Sequence, residues 1–157
     1  MKIKFLLVGK TSDKSLDKLI DDYMKRLTHY VGFEMIVVPE LKDVKNRSVE
    51  EQKEREADLI LKQLNSGDDV VLLDEKGKEY GSVDFSVLIG KKMLSSVKYT
   101  IFVVGGPYGF SKRVYDRADA LLSLSKMTFS HQMIRLIFVE QLYRAMTILK
   151  NEPYHHE

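Results

Sequence analysis

Short apolar runs alternate with longer amphipathic segments along the whole chain. The apolar runs predict five strands, over residues 3–8, 33–39, 70–74, 98–104 and 121–125. The amphipathic segments predict five helices, over residues 15–27, 49–65, 84–94, 112–120 and 131–149. Strands that alternate with helices predict an α/β fold of the Rossmann-like kind, in which helices cover both faces of a mainly parallel sheet.

Polar residues and glycines indicate where these elements begin and end. Ser48 and Glu51 have the spacing of a capping box, so a helix is expected to begin beside them, and Gly67 is expected to end it. Ser111 is the expected cap of the fourth helix. The segment from Lys76 to Gly81 predicts an open polar loop before the third helix.

Length and composition predict a single folded domain over residues 1–157. The chain has 44% hydrophobic and 31% charged residues, a balance typical of globular domains. It contains no cysteine, which excludes disulfides and cysteine-based zinc sites and fits a reducing cytoplasm. The first apolar run is too short for a signal peptide, and no run reaches the ~20 residues that span a bilayer. The net charge of +2 is mild, so any RNA site must be local.

Two glycine-containing segments resemble nucleotide-binding loops. The sequence VGKT, from Val8 to Thr11, follows a strand, but a phosphate-binding P-loop requires a glycine where Lys4 stands. The sequence GGPYGF, residues 105–110, lacks the spacing of a dinucleotide fingerprint, which argues against an NAD-dependent oxidoreductase. It is either a simple turn or a ligand loop. The second interpretation gains from its position, because ligands bind beyond the carboxyl ends of parallel strands, where Asp74 and Ser125 are also expected.

The last predicted helix is apolar on nearly all sides. Such a helix must be buried on nearly all sides, and in a chain this small a two-fold partner is the natural way to cover it. Burial within one subunit is the alternative. The few polar positions, which face either an interface or RNA phosphates, are Arg135, Glu140, Gln141 and Arg144.

Histidines stand at both ends of this helical segment. His131 is interpreted as a helix N-terminal residue with routine hydrogen bonds or as a functional group. Tyr154, His155 and His156 form a tail that frays unless it packs against something. A metal site there is disfavoured, because the consecutive residues 155–157 cannot all converge on one ion.

Three motifs carry a resemblance to a known family. VVGGPYGFS, SLSKMTFSHQMIRLIFVEQLYRA and NEPYHHE are similar to the signatures of the RlmH family, the 23S rRNA pseudouridine methyltransferases of the SPOUT superfamily. The resemblance covers the whole chain. It implies methyl transfer from S-adenosylmethionine to N3 of a pseudouridine, in a hairpin loop of 23S rRNA on the assembled ribosome. It also implies a cytoplasmic homodimer with a C-terminal trefoil knot, which sequence periodicity does not predict.

The resemblance also implies functional residues. His131, Tyr154 and His155 match the proposed catalytic residues; imidazoles titrate near neutral pH and suit proton transfer, and a tyrosine ring can stack on an unpaired base. The implied cofactor residues offer apolar walls and bare main chain for adenine, and they are Leu73, Gly105, Leu124, Ser125, Lys126, Met127, Thr128 and Phe129.

One residue departs from the family pattern. His156 stands where the family has Arg or Lys, so a permanent cation near RNA phosphates becomes a partial one. We therefore expect Arg135, Arg144 or nearby lysines to contribute more to phosphate binding, with His156 as a partial contact. The alternative function is a non-catalytic RNA-binding or ribosome-associated factor, in which the glycine loop is only structural.

Overall fold

A five-stranded parallel sheet forms the centre of the computed structural model, which describes residues 1–42 and 44–156. Its strands are β1 (Lys2–Val8), β2 (Gly32–Val38), β3 (Asp69–Glu79), β4 (Tyr99–Val104) and β5 (Ala120–Ser123). They stand in the order β2-β1-β4-β3-β5, and every neighbouring pair is parallel. The predicted parallel α/β fold is therefore confirmed.

Helices cover both faces of the sheet, as predicted. The helices are α1 (Lys14–Leu27), α2 (Val49–Leu61), α3 (Ser82–Leu94), α4 (Lys112–Arg117) and α5 (Met133–Leu149). A short 3-10 turn at Val44–Asn46 precedes α2. Because side chains alternate along a strand, Phe5 and Leu7 pack with α1, α3 and α5, whereas Leu6 and Val8 pack with α2 and α4. The two faces thus form two separate apolar cores.

The apolar helix α5 is covered partly within its own subunit. It packs against α1 and α3, and the Phe138 ring lies between Phe5 and Phe102, with centroid distances of 4.6 and 4.8 Å. Met133 and Leu149, near its two ends, remain exposed. No helix in the described part of the chain is both long and apolar enough to cross a membrane. The trefoil knot implied by the resemblance stays a prediction.

The predicted loop after β3 is partly wrong. The strand continues to Glu79 through Lys76 and Lys78, and Leu122 of β5 pairs with both Leu73 and Lys78, which indicates a bulge between them. Gly77 passes so close to β5 that a Cβ atom there would lie 2.5 Å from the Leu122 nitrogen. Polar side chains on a bulged strand resemble a loop in sequence, which explains the error.

Some helix boundaries and caps also differ from the prediction. Helix α2 ends at Leu61 rather than at residue 65, because the next amides, from Gln63 and Leu64, donate to carbonyls three residues back. Helix α4 ends at Arg117, α5 begins at Met133 rather than at His131, and α3 begins at Ser82. Ser48 Oγ accepts from the Glu51 N–H at 3.1 Å as expected, whereas Ser111 occupies the N-cap of α4 without a side-chain cap bond.

Candidate active site

A cavity of about 570 Å³ opens at the carboxyl ends of β3, β4 and β5. This is the edge of a parallel sheet at which ligands bind in α/β proteins. Seven of the eight predicted cofactor residues line the cavity, and Lys126 is the exception; the seven are Leu73, Gly105, Leu124, Ser125, Met127, Thr128 and Phe129. Residues of three distant segments are thereby brought to one place.

The glycine-containing loop forms one wall as a tight turn. The Gly109 N–H donates to the Gly106 carbonyl at 3.1 Å, and Gly109 has a φ of 80°, which glycine adopts without strain. A Cβ on Gly105 would lie 3.0 Å from the Phe110 ring, so the bare main chain fits between that ring and the cavity. Glu56 of α2 holds the turn from outside, because its Oε1 accepts from the Gly106 N–H at 2.9 Å.

The segment between β5 and α5 forms the opposite wall and is held by its own serines. Ser123 Oγ donates to the Ser125 carbonyl at 3.0 Å, and the Met127 N–H donates to Ser125 Oγ at 2.9 Å. At the far end of the segment, the Met133 N–H donates to Ser130 Oγ at 3.0 Å. These bonds fix a loop that presents Leu124, Thr128 and Phe129 to the cavity.

Several lining residues are absent from the predicted site. For Asp74, the sequence predicts only a position at a strand end. Its Oδ1 accepts from the Lys76 N–H at 2.8 Å, and its Oδ2 accepts a short hydrogen bond from the Tyr115 hydroxyl. Burial and this carboxylate raise the pKa of Tyr115 above its ordinary value. Lys53 of α2 is another lining residue that the prediction missed, and no local sequence signal connects it with the cavity.

His131 lies in the turn before α5 and lines the cavity. Its carbonyl accepts from Arg135 Nε at 3.1 Å. Gln132 fixes the same turn, because its Oε1 accepts from the Ser12 N–H at 2.9 Å and its Nε2 donates to the Lys10 carbonyl at 3.2 Å. The turn that carries His131 is thus tied to the loop after β1.

Arg135 is not on the surface, so the prediction that it contacts RNA is wrong. Its side chain is 0% exposed. Its guanidinium donates to the carbonyls of Val8 and Gly9, each at 2.9 Å, and to Thr11 Oγ1 at 3.0 Å. Burial lowers the pKa of Arg135 from its ordinary value. The VGKT sequence therefore serves as a docking loop for this arginine rather than for a phosphate.

The C-terminal tail packs against α1 and α5. The Tyr154 hydroxyl donates to Glu140 Oε1 at 3.0 Å and lies 3.1 Å from the Tyr23 hydroxyl. Arg144 lies over the Tyr154 ring, with its guanidinium 4.9 Å from the centroid, and contacts His155 Nδ1 at 3.1 Å and Glu140 at 2.7 Å. Burial, Tyr23 and Glu140 raise the pKa of Tyr154. The tail is docked, not frayed.

The tail and His131 lie at different parts of the molecule within one subunit. Tyr154 is bonded to Glu140, which is seven residues beyond Met133 on α5, or ~10 Å along the helix axis. Neither Tyr154 nor His155 lines the cavity. His156 is exposed, and Glu157 lies outside the described residues. No cluster of metal-binding side chains occurs in residues 1–42 and 44–156.

The sequence as a whole matches a family model described as predicted SPOUT methyltransferase, over residues 1–155. The chain belongs to the SPOUT methyltransferase family. A solved structure, a probable methylase family protein from Haemophilus influenzae Rd KW20, shares the fold with a TM-score of 0.51 at 14% identity. The match covers 95% of this chain and 66% of the other chain.

Full-length relatives carry a more specific name. The protein named ribosomal RNA large subunit methyltransferase H is 60% identical in Parabacteroides distasonis, 56% in Flavobacterium johnsoniae and 59% in Phocaeicola vulgatus. Each alignment covers 100% of both chains. The expected membership of the family of these ribosomal RNA methyltransferases is thereby confirmed.

Proposed function

We propose that this protein transfers a methyl group from S-adenosylmethionine to N3 of a pseudouridine in a hairpin loop of 23S rRNA, on the assembled ribosome. The observation that carries the proposal is the cavity at the carboxyl edge of the sheet, where the glycine turn, the segment before α5 and His131 meet. The full-length relatives named for methylation of large-subunit ribosomal RNA support the choice of substrate.

The residues around the cavity fit the cofactor. The volume of about 570 Å³ lies within the usual range for small-molecule sites. Leu73, Leu124 and Phe129 offer apolar contact to adenine, while the bare main chain of Gly105 permits close approach. Bound there, S-adenosylmethionine supplies a sulfonium-activated methyl group. The protein contributes shape, main-chain hydrogen bonds and exclusion of water; Lys126 is assigned no lining role.

Methylation at N3 requires the nitrogen to be aligned with the methyl group and to lose its proton. We assign base or proton-relay roles to His131 and His155 and a base-positioning role to Tyr154. His131 is fixed through its main chain by Arg135, and His155 is held by Arg144. A residue that acts at N3 must reach the cavity, and within one subunit only His131 of these three does.

We therefore propose a homodimer in which the tail of one subunit completes the cavity of its partner. The docking of Tyr154 on Glu140 and Tyr23 keeps the tail away from its own cavity but leaves it ordered for presentation to a second copy. The apolar residues still exposed on α5 and α1, among them Met133, Leu149 and Leu19, are available to such an interface. Arg144 and His156 are the proposed RNA-phosphate contacts.

Calorimetry and a methylation assay test the proposed function together. The purified protein should bind S-adenosylmethionine, and it should transfer tritiated methyl groups to ribosomes from a strain that lacks the enzyme, with the label mapped to N3 of one pseudouridine. A protein that binds these ribosomes but not the cofactor is instead a non-catalytic ribosome-associated factor. We also propose that residues 1–157 act as one domain in the cytoplasm, where this substrate is found.

His155→Ala separates chemistry from cofactor binding. Because His155 is assigned to proton transfer and not to the walls that hold the cofactor, the variant should retain the wild-type affinity for S-adenosylmethionine while its methylation rate falls by about 10²- to 10⁴-fold, as expected for loss of general acid–base catalysis. His156→Ala, one residue further along the tail, is the matched comparison: as the loss of a proposed RNA contact it should weaken ribosome binding but retain most of the rate at saturating ribosome concentration. Wild-type turnover by His155→Ala would show that the catalytic assignment is wrong.

A further inference from the structure

Tyr108 is an exposed aromatic residue at the rim of the cavity. It lines the cavity, yet 54% of its surface is accessible to solvent. Within residues 1–42 and 44–156, the Tyr108 hydroxyl makes no hydrogen bond. Its ring makes no contact there with another aromatic ring or with a cation. Across the rim, Met127 is 78% exposed and lines the same cavity. The cavity mouth is therefore flanked by two apolar side chains that the fold does not use for its own core.

The turn that carries Tyr108 is held rigidly. Pro107 has a fixed φ, and the Gly109 N–H closes the turn on the Gly106 carbonyl at 3.1 Å. Glu56 anchors the first residue of the turn from α2, through its bond to the Gly106 N–H at 2.9 Å. A Cβ on Gly106 would lie 2.6 Å from Glu56 Oε2, so the carboxylate is in close contact with the main chain. A ring presented on such a turn loses little conformational entropy when it binds a partner.

We propose that Tyr108 is an RNA-contacting residue that stacks on an unpaired nucleotide of the rRNA loop, beside the base that enters the cavity. This inference rests on the proposed function. Unpaired RNA nucleotides expose their ring faces, and aromatic side chains bind them by stacking with little dependence on base identity. Cofactor adenine is the competing partner for the ring. The apolar walls proposed for the adenine, Leu73 and Leu124, are mostly buried within the cavity. Tyr108, in contrast, faces solvent for more than half of its surface.

Equilibrium binding to ribosomes tests the proposal. The affinities of wild type, Tyr108→Phe, Tyr108→Leu and Tyr108→Ala for unmethylated ribosomes are measured by co-sedimentation, and their affinities for S-adenosylmethionine by calorimetry. Tyr108→Phe retains the ring and should bind ribosomes within about twofold of wild type. Tyr108→Leu and Tyr108→Ala should bind at least about fivefold more weakly, the smallest loss expected for one stacked base. All four proteins should bind the cofactor equally.

Leu94→Ala is the control for loss of an exposed apolar side chain. Leu94 lies at the end of α3, at the opposite edge of the sheet, and its removal should leave ribosome binding unchanged. Wild-type ribosome affinity in Tyr108→Ala would overturn the proposal. Weaker cofactor binding with unchanged ribosome affinity would also overturn it and would assign Tyr108 to the cofactor. If wild type itself failed to bind the cofactor, the proposed function would fail, and the ribosome affinities would still decide the role of Tyr108.

Discussion

At the scale of single residues, Glu56 shows how a carboxylate can support a binding site without lining it. Its Oε1 accepts from the Gly106 N–H, and this bond favours the ionised carboxylate. Burial acts in the opposite direction and has the larger effect, with a smaller contribution from Glu40, so the pKa of Glu56 is raised from its ordinary value of 4.5. The glycine turn is therefore held by a carboxyl group whose ionisation is less favourable in the folded state than in the unfolded state.

Glu56→Gln should reveal how the raised pKa of Glu56 makes the stability of the protein depend on pH. Because folding raises the pKa of Glu56, its ionisation costs nothing below the ordinary carboxyl pKa, and the cost grows as pH rises through the raised value. Glutamine keeps an acceptor for Gly106 but does not ionise. The free energy of unfolding of the variant should therefore increase relative to wild type as the pH rises above about 4. Urea denaturation at several pH values measures it.

Glu51→Gln provides the matched control for this experiment. Glu51 is exposed on the same helix, so the same substitution there should change stability only slightly. A Glu56→Gln difference from wild type that stays constant with pH, or that falls as pH rises, would contradict the assignment of a raised pKa.

Arg135 shows that residue type alone does not predict whether a side chain contacts RNA. Arginine near an RNA enzyme's site is reasonably expected to contact phosphate, but its environment depends on which loop folds over it. Here the loop after β1 supplies two carbonyls and a hydroxyl to the guanidinium, and these lie more than 120 positions away in sequence. The meeting of the predicted cofactor residues around one cavity was easier to foresee, because long specific motifs carry them and the ends of parallel strands lie at one edge.

At the scale of elements, periodicity predicted the strands and helices but not the bulge in β3. Residues after Asp74 are polar and include a glycine, which in sequence is indistinguishable from a loop. Their extended conformation depends on pairing with β5, where Leu122 meets both Leu73 and Lys78. That pairing joins segments about 45 residues apart, so no local pattern reports it. The bulge matters because Leu73 and Leu124, on either side of it, form walls of the cavity.

Gly77→Ala should disrupt this pairing. A Cβ at residue 77 would lie 2.5 to 2.6 Å from the main chain of Leu121 and Leu122, which can move only with the whole of β5. We expect a loss of at least about 2 kcal/mol in stability, comparable to overpacking of a core, and a weaker affinity for S-adenosylmethionine through the displaced wall. Thermal or urea unfolding and calorimetry measure the two effects.

Gly67→Ala is the control for the loss of glycine flexibility. A Cβ at Gly67 would have no neighbour within 4 Å, so the substitution should alter stability by about 1 kcal/mol or less and leave cofactor binding unchanged. If Gly77→Ala proved as mild as Gly67→Ala, the close approach of β3 and β5 at the bulge would be wrong.

At the scale of the whole molecule, helix α5 separates two sets of candidate catalytic groups. His131 precedes its first residue and lines the cavity, whereas Tyr154 and His155 return along its second half and pack on Glu140 and Arg144. The sequence predicted that the apolar helix α5 needs a second subunit to cover it. In the structure, α1 and α3 of the same subunit cover part of its surface. This separation along α5 is the reason for the proposed second copy, because a two-fold axis perpendicular to the helix would bring the tail of one subunit to the cavity of the other.

Mixing two inactive variants tests whether the site is shared between subunits. His131→Ala and His155→Ala homodimers should each be inactive. In a mixed dimer built from one subunit of each kind, one cavity contains both substitutions, and the other combines an intact His131 with an intact tail. If subunits exchange at random, half of the dimers are mixed, so about a quarter of wild-type methylation should return. Native mass spectrometry measures the mixed population, and tritium transfer to ribosomes measures the activity.

As a control, mixing His131→Ala with the double variant should restore no activity, because no cavity then has both histidines. Mixed dimers that stay inactive, or a protein that remains monomeric throughout, would show that each subunit acts with its own tail.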